Sequence, residues 1–318
     1  MAHLTLDQRY KIELYKSMNK KLSDIADYVG KDKTVIFREL KRNSDQRSGT
    51  YKAELAHRKA EMRHKTKAKR EDLNATVEAN ILYYLSMDFS PEQIVGRSKI
   101  EGKEMVSIER IYQYIWLDKK KGGKLHKHLR TKGKKYVKRS GLKGKRGMIT
   151  DRIDIDQRPS IVEKKERFGD LEIDLIIGKG HSGALLTIND RSTGILFMSK
   201  VKSKEAKVIE ERATELLKDW KPLIKTITSD NGKEFANHKS IAEKLEISFY
   251  FAKPYHSWER GANENLNGLV RQYFPKEMAF DNITEAQIKQ VVDTLNNRPR
   301  KRFGYKAPNE ILAEKMVI

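Results

Sequence analysis

The 318-residue chain contains no cysteine, which excludes disulfides and any cysteine-ligated zinc or iron–sulfur site. The same absence fits a reducing, cytoplasmic location. Long apolar runs are missing too. None approaches the roughly 18 residues of a membrane span. The opening "MAHLTLDQRY" has no basic segment followed by an apolar one, so neither a membrane partner nor a signal peptide is expected. Acids are absent from one stretch. Residues 119–150 carry 14 Lys and Arg, no Asp or Glu, and almost no large apolar side chain. Such a segment cannot bury a core and reads as a linker or arm that would lie along phosphates.

What is abundant is positive charge, unevenly spread. Residues 1–150 hold 37 Lys and Arg against 18 Asp and Glu, whereas residues 151–318 hold 29 against 26. A surface that neutralises many phosphates needs this bias, because counterion release drives nucleic-acid binding. The competing explanations are a merely soluble cationic protein or one directed to acidic membranes.

The first 43 residues have helical spacing. In "LDQRYKIELYKSM", Tyr10, Leu14 and Met18 recur at i, i+4, i+8 and predict an inner face. "KLSDIADYVGKDKTVIFRELKRN" reads as helix, turn, helix, with Leu22, Ile25, Ala26, Val35, Ile36 and Leu40 inward. Ser23 and Asp32 are the expected caps, and Gly30 the expected turn. Lys33, Thr34, Arg38, Lys41 and Arg42 are left outward, where they would reach a major groove and its phosphates. A helical hairpin with solvated basic faces is the plainer alternative. Further on, "SPEQI" and "VSIERIYQYIW" begin two more helices, capped by Ser90 and Ser107, with Ile108, Ile111, Tyr112 and Ile115 inward. They form a second helix-turn-helix, or else a packing or dimerisation module.

After Pro159 strands and helices alternate. "GDLEIDLIIGKG", "GALLTINDRS", "GILFMSKV", "IKTITSD" and "ISFYF" predict five strands; "EAKVIEERATELLKDW" and "KSIAEKLE" predict helices between the later ones. That order is α/β. "GKGHSG" lacks the following helix and Lys-Ser/Thr pair of a phosphate loop, and is expected to be a hairpin turn.

Three acids in this half could hold divalent metal for phosphodiester chemistry. Asp174 interrupts the apolar run "LEIDLIIG"; the bland alternative is a half-exposed edge-strand acid, since Asp170 and Glu172 share its parity. Asp230 ends a strand before an Asn-Gly turn, and a turn-forming role is its alternative. Asp190 is a rival read as structural, at a strand–turn junction. The third acid comes from "HSWERGANENLNGLVRQYFPK", which offers Glu259 in a loop and Glu264 at a helix start. Asn267, Gly268 and Arg271 share the helical face of Glu264, and the glycine leaves room for a phosphate backbone.

Thirty-three residues separate Asp230 from Glu264, and Arg271 follows seven further on. With "GDLEIDLIIGKGHSGALLTINDRST", "TITSDNGKEFANH", "PYHSWERGANENLNGLVRQYFPK" and "LNNRPRKRFGYKAPNEI", the chain resembles the IS-thirty family of bacterial insertion-sequence transposases. The N-terminal helix-turn-helix segment matches as well, so the resemblance spans nearly the whole chain. It implies a multidomain protein: an all-α N-terminal region, then an α/β RNase H-like catalytic domain with a mixed five-stranded sheet flanked by helices, similar to retroviral integrase. The boundaries expected are 1–65 for the helix-turn-helix domain, 66–118 for the second helical domain, 119–158 for the basic linker and 159–318 for the core. The resemblance further implies a DDE triad of Asp174, Asp230 and Glu264 holding two Mg²⁺ ions, with Mn²⁺ as a substitute. A metal-activated water would free a 3′-hydroxyl at the element's end, and that hydroxyl would attack target DNA. Double-stranded DNA is the implied partner, both terminal inverted repeats and target, bound by a homo-oligomer. Arg260 and Arg271 would position phosphate; Asn263 and Asn267 would support Glu264 or contact the strand. Trp258 would stack on a base or pack under the loop. Leu171 stands where the family usually has Trp. A DNA-binding repressor with a silent core and an RNase H-like nuclease are the rival functions.

Overall fold

The computed structural model describes residues 4–66, 73–132, 149–253 and 261–317, which fall into two compact units, Met1–Leu73 and Asn74–Ile318. Trp258, Glu259, Arg260 and residues 133–148 of the basic segment lie outside the described residues.

The first unit contains α1 (Leu6–Ser17), α2 (Leu22–Val29), α3 (Lys33–Asn43) and α4 (Ala53–Thr66). α2 and α3 are the expected helix-turn-helix. Gly30 ends α2 at φ 65°, where a side chain would be strained, and Asp32 caps α3 by accepting from the Thr34 amide at 2.7 Å. Ser23 does not cap α2. That helix starts at Leu22, with Lys21 at its cap position and no side-chain cap bond. α1 also departs from its apolar spacing. Tyr10, Leu14 and Met18 are exposed, and the buried residues are Arg9 and Ile12. The reason is that Arg9 is fully partnered, donating to Glu39 at 2.8 Å and to the Leu4 carbonyl at 2.7 Å. A satisfied charge can occupy a core position that apolar periodicity assigns elsewhere. Ile12 completes a core with Ile25, Ala26, Val29, Ile36, Tyr51 and Ala56.

The second unit opens with α5 (Ala75–Ser86), α6 (Pro91–Ile100) and α7 (Ile108–Lys120). Ser90 and Gln93 form a reciprocal capping box on α6, and Ser107 caps α7, as their sequences predict. On α7 the buried residues are Ile111 and Ile115; Ile108 and Tyr112 face solvent. After the short α8 (Ile161–Lys164) come β1 (Asp170–Ile177), β2 (Ala184–Asp190), β3 (Leu196–Val201), α9 (Ala206–Leu217), β4 (Thr226–Ser229), α10 (His238–Leu245) and β5 (Ser248–Phe251). α11 (Gly261–Tyr273), α12 (Glu285–Asn296) and α13 (Pro308–Met316) complete the unit.

The sheet order is β3-β2-β1-β4-β5. The first three strands pair antiparallel, and β4 runs parallel to both β1 and β5. This is the expected mixed five-stranded sheet. Alternation decides its two faces. Leu171, Ile173, Ile188, Ile227, Phe249 and Phe251 pack against Ile209, Ala213 and Leu217 of α9 and Ile241 and Leu245 of α10. On the other face Ile176, Leu185, Leu196 and Met198 meet Leu266, Leu269 and Val270 of α11 and Ile288 and Leu295 of α12. Leu171 therefore lies on the α9–α10 face, with its side chain fully buried.

The helices of residues 74–118 belong to the same compact unit as the sheet. Buried Arg298 ties them in, donating to Gln93 on α6 at 3.0 Å and to Gln272 on α11 at 2.8 Å, while Arg97 pairs with Glu310 on α13 at 2.7 Å. The basic segment is anchored at both described ends. Leu129, Ile149 and Ile155 are buried, the Ile153 carbonyl accepts from the Phe251 amide at 2.9 Å, and the His128 carbonyl accepts from Gln272 at 3.2 Å. Three scattered apolar residues suffice to dock a segment whose charge made it look like free linker. Among the described residues, no helix is long and apolar enough to cross a membrane.

Candidate active site

β1 is the central strand, so Asp174 is not an edge-strand acid. Asp170, Glu172 and Asp174 all point to the α11 side, yet their surroundings differ. Asp170 is buried, held by Arg167 at 2.8 Å and by the Thr226 hydroxyl at 2.8 Å. Glu172 is buried against Arg191, which reaches Glu163 at 3.1 Å; Arg158 joins the same Glu163 and donates to Thr228 at 2.9 Å. Asp174 is only half-buried. Its Oδ1 accepts from the Leu175 amide at 2.9 Å and its Oδ2 from the Asn267 side chain at 2.8 Å.

α11 runs along β1 and touches it at regular intervals. The Asn263 amide donates to Glu172 at 3.3 Å, Asn267 binds Asp174, and Arg271 donates to the Ile177 carbonyl at 2.8 Å. From Asn263 to Asn267 four helical residues rise about 6 Å, nearly matching the about 6.6 Å of the two strand residues from Glu172 to Asp174; the three-residue step to Ile177 is longer and is reached by the long Arg271 side chain. Glu172 meets one of the amides in the first turn of α11, which have no partner within the helix, and its negative charge suits the positive end of the helix.

Asp230 follows β4 directly. β1 and β4 pair Glu172 with Thr228, and Asp174 and Asp230 each lie two residues beyond that pair in their own segments. Asp230 accepts from the Gly232 amide at 3.0 Å, the local turn its sequence suggests. Glu264 is exposed on α11, one turn before Gly268. Among the described residues no three His, Asp or Glu side chains are gathered into a group that could hold a metal ion.

Other expected site residues are redistributed. Asn263 is 1% exposed and faces the sheet, not a solvent-side strand of DNA. Asn267 supports Asp174 rather than Glu264, with Thr187 donating to its carbonyl at 3.3 Å. Arg271 grips backbone carbonyls and lies over the Phe280 ring at 5.6 Å. Asp190 is structural, as read. It accepts from Gly169, Ser192 and Thr193, and burial pushes its carboxyl up against the opposing pull of the Thr193, Gly169 and Ser192 hydrogen bonds. On α3, Lys33, Thr34, Arg38, Lys41 and Arg42 are all exposed, as expected, and Phe37 is exposed among them. Sequence reasoning missed Arg191, Arg158 and Arg298. The shared parity of Asp170, Glu172 and Asp174 was the available signal that this face needed buried cations. It also missed that the space over Gly268 is filled by the Arg130 guanidinium, which a Cβ there would overlap.

Residues 2–43 match a family model described as a helix-turn-helix domain. Over 308 residues the chain is 56% identical to the transposase for insertion sequence element IS4351 of Bacteroides fragilis, covering 97% of this chain and 94% of that one. It is 32% identical over 325 residues to the transposase InsI for insertion sequence element IS30A of Escherichia coli (strain K12), covering 98% and 84%. Among solved structures, the catalytic core domain of BIV integrase overlays with a TM-score of 0.37 at 19% identity, covering 46% of this chain and 95% of that one.

Proposed function

We infer this protein's chemistry from one premise: the chain belongs to the IS-thirty (IS30) family of insertion-sequence transposases. Transposition of DNA is its function, and moving DNA strands makes it a polynucleotidyl transferase. The finer reading is that the reaction is of the DDE type, with Asp174, Asp230 and Glu264 as the three acids. The observation that supports it is that Asp174 and Asp230 each follow, two residues on, the last paired residues of adjacent strands, Glu172 and Thr228, with Asn267 orienting the first. Carboxylate oxygens are the hard donors that Mg²⁺ prefers, Mn²⁺ being its substitute, and two acids brought together would favour a cation between them. When bound, two divalent ions supply a polarised scissile phosphate and an activated attacking oxygen for in-line displacement. Asn267 holds the Asp174 carboxylate in one orientation, and Glu264 closes on the pair from α11. α3 presents Lys33, Thr34, Arg38, Lys41 and Arg42 to the terminal inverted repeats, within an N-terminal reading domain of residues 1–65, and the protein acts as a homo-oligomer on paired ends.

The test incubates the full-length protein with duplex bearing the terminal inverted repeat of its own element, supercoiled plasmid and Mg²⁺. Joined products are expected from the wild type, and none from Glu264→Gln, which still binds the duplex. Joining by Glu264→Gln at the wild-type rate would sink the assignment of the third acid.

A further inference from the structure

Arg130 belongs by sequence to the basic segment but by position to α11. Its backbone is fixed by its neighbours. Leu129 is buried, the His128 carbonyl accepts from Gln272 of α11 at 3.2 Å, and the His128 ring meets Asp88 at 2.9 Å. From there the guanidinium extends over Gly268, in the space a β-carbon would fill. Gly268 lies one turn, about 6 Å, beyond Glu264 on the same side of the helix. Arg130 is exposed, and among the described residues no carboxylate forms an ion pair with it. Its nearby charges include the arginines Arg298 and Arg300. Burial, then Arg298 and Arg302, and more weakly Arg130, push Arg300 down to about 9. Buried Arg298 is also lowered, by desolvation first and by Arg130 among its neighbours. An exposed guanidinium near buried arginines, with no ion-pair partner among the described residues, is arranged to receive an anion from outside.

We propose that Arg130 clamps a backbone phosphate of the DNA strand next to the reacting bond, and that Gly268 is glycine so that this guanidinium can seat beside Glu264. The proposal rests on Glu264 being the third acid. A guanidinium gives two parallel hydrogen bonds to a phosphate where an ammonium gives a point charge. The seat belongs to the chain's own helix face, so the clamp would hold the strand in register with the acids rather than add general affinity.

The substitutions are Arg130→Ala, Arg130→Lys and Gly268→Ala, made in the full-length protein and compared with Glu264→Gln. The probe is inverted-repeat duplex with plasmid target and Mg²⁺. Arg130→Ala and Gly268→Ala should each slow joining about tenfold to a hundredfold, the worth of a charge-assisted hydrogen bond. Arg130→Lys should recover part of the rate. Arg130→Ala should also lower the salt slope of duplex binding by about one phosphate. Gly268→Ala replaces a poor helix former, so its melting temperature should hold or rise while joining falls; a merely structural role would give the opposite pairing. Wild-type joining by either Arg130→Ala or Gly268→Ala, with Glu264→Gln inactive, overturns the clamp alone. Activity in Glu264→Gln overturns the reading on which it rests.

Discussion

Glu172 and Asp174 sit two residues apart on one face of one strand, and they have opposite surroundings. Glu172 is 1% exposed and enclosed by an arginine and a helix amide. Asp174 is half-open and accepts from a neutral side-chain amide. The difference teaches how a sheet separates structural from chemical acids. A carboxylate whose charge is already offset by a buried cation has nothing left to offer a metal ion. One that is half-exposed and oriented by an amide keeps an oxygen face toward solvent.

The comparison can be broken first at its structural half. Glu172→Ala leaves Arg191 buried beside one remaining acid and removes a contact from the first turn of α11. Breaking such a buried pair should cost about 3–5 kcal/mol, read as a lower urea midpoint. A loss under about 1 kcal/mol would mean that Glu172 is not what seats α11. The chemical half is sharpened by Asn267→Ala, which frees Asp174 to turn. Residues that orient a metal-ligating group typically contribute about 10–100-fold in affinity or rate. Joining should slow by that factor, with the urea midpoint little changed and more Mg²⁺ needed for half-maximal rate. An unchanged Mg²⁺ requirement would contradict the orienting role. The smallest effect is expected at an acid on the opposite face. Lys244, then Ser240 and Asn237, hold Glu210 of α9 down to about 2. A carboxyl lowered on folding stabilises the protein above its unfolded value, about 4.3, and that stability disappears as pH falls through about 2. Stability of the wild type should therefore fall more between pH 4.3 and 2 than that of Glu210→Gln, measured by urea unfolding at each pH. Parallel curves would remove Glu210 from the acid sensitivity.

Much of this was legible in the residues because it is local. The five strands, the Asp32, Ser90 and Ser107 caps, and the turn at Gly30 depend on spacing within about ten residues. Asp174 and Asp230 stood out because each interrupts or ends an apolar run. What could not be read was which acids find cations. Arg191 is 19 residues from Glu172, and Arg9 is 30 residues from Glu39. Nothing in a periodic pattern marks either pairing, so Tyr10, Leu14 and Met18 looked like the inner face of α1. Gly268 was read as leaving room for a phosphate backbone; the side chain over it comes from Arg130, 138 positions upstream.

The near-equal steps of α11 and β1 behave like two rulers laid edge to edge. Their marks coincide at Asn263 and Asn267, and the long Arg271 side chain spans the wider step to Ile177. One extra residue inside that interval would turn every later mark by about 100°, and Asn267 would no longer meet Asp174. The interval from Asn263 to Arg271 is therefore a fixed gauge, and changes of chain length must be absorbed in the segments before and after it.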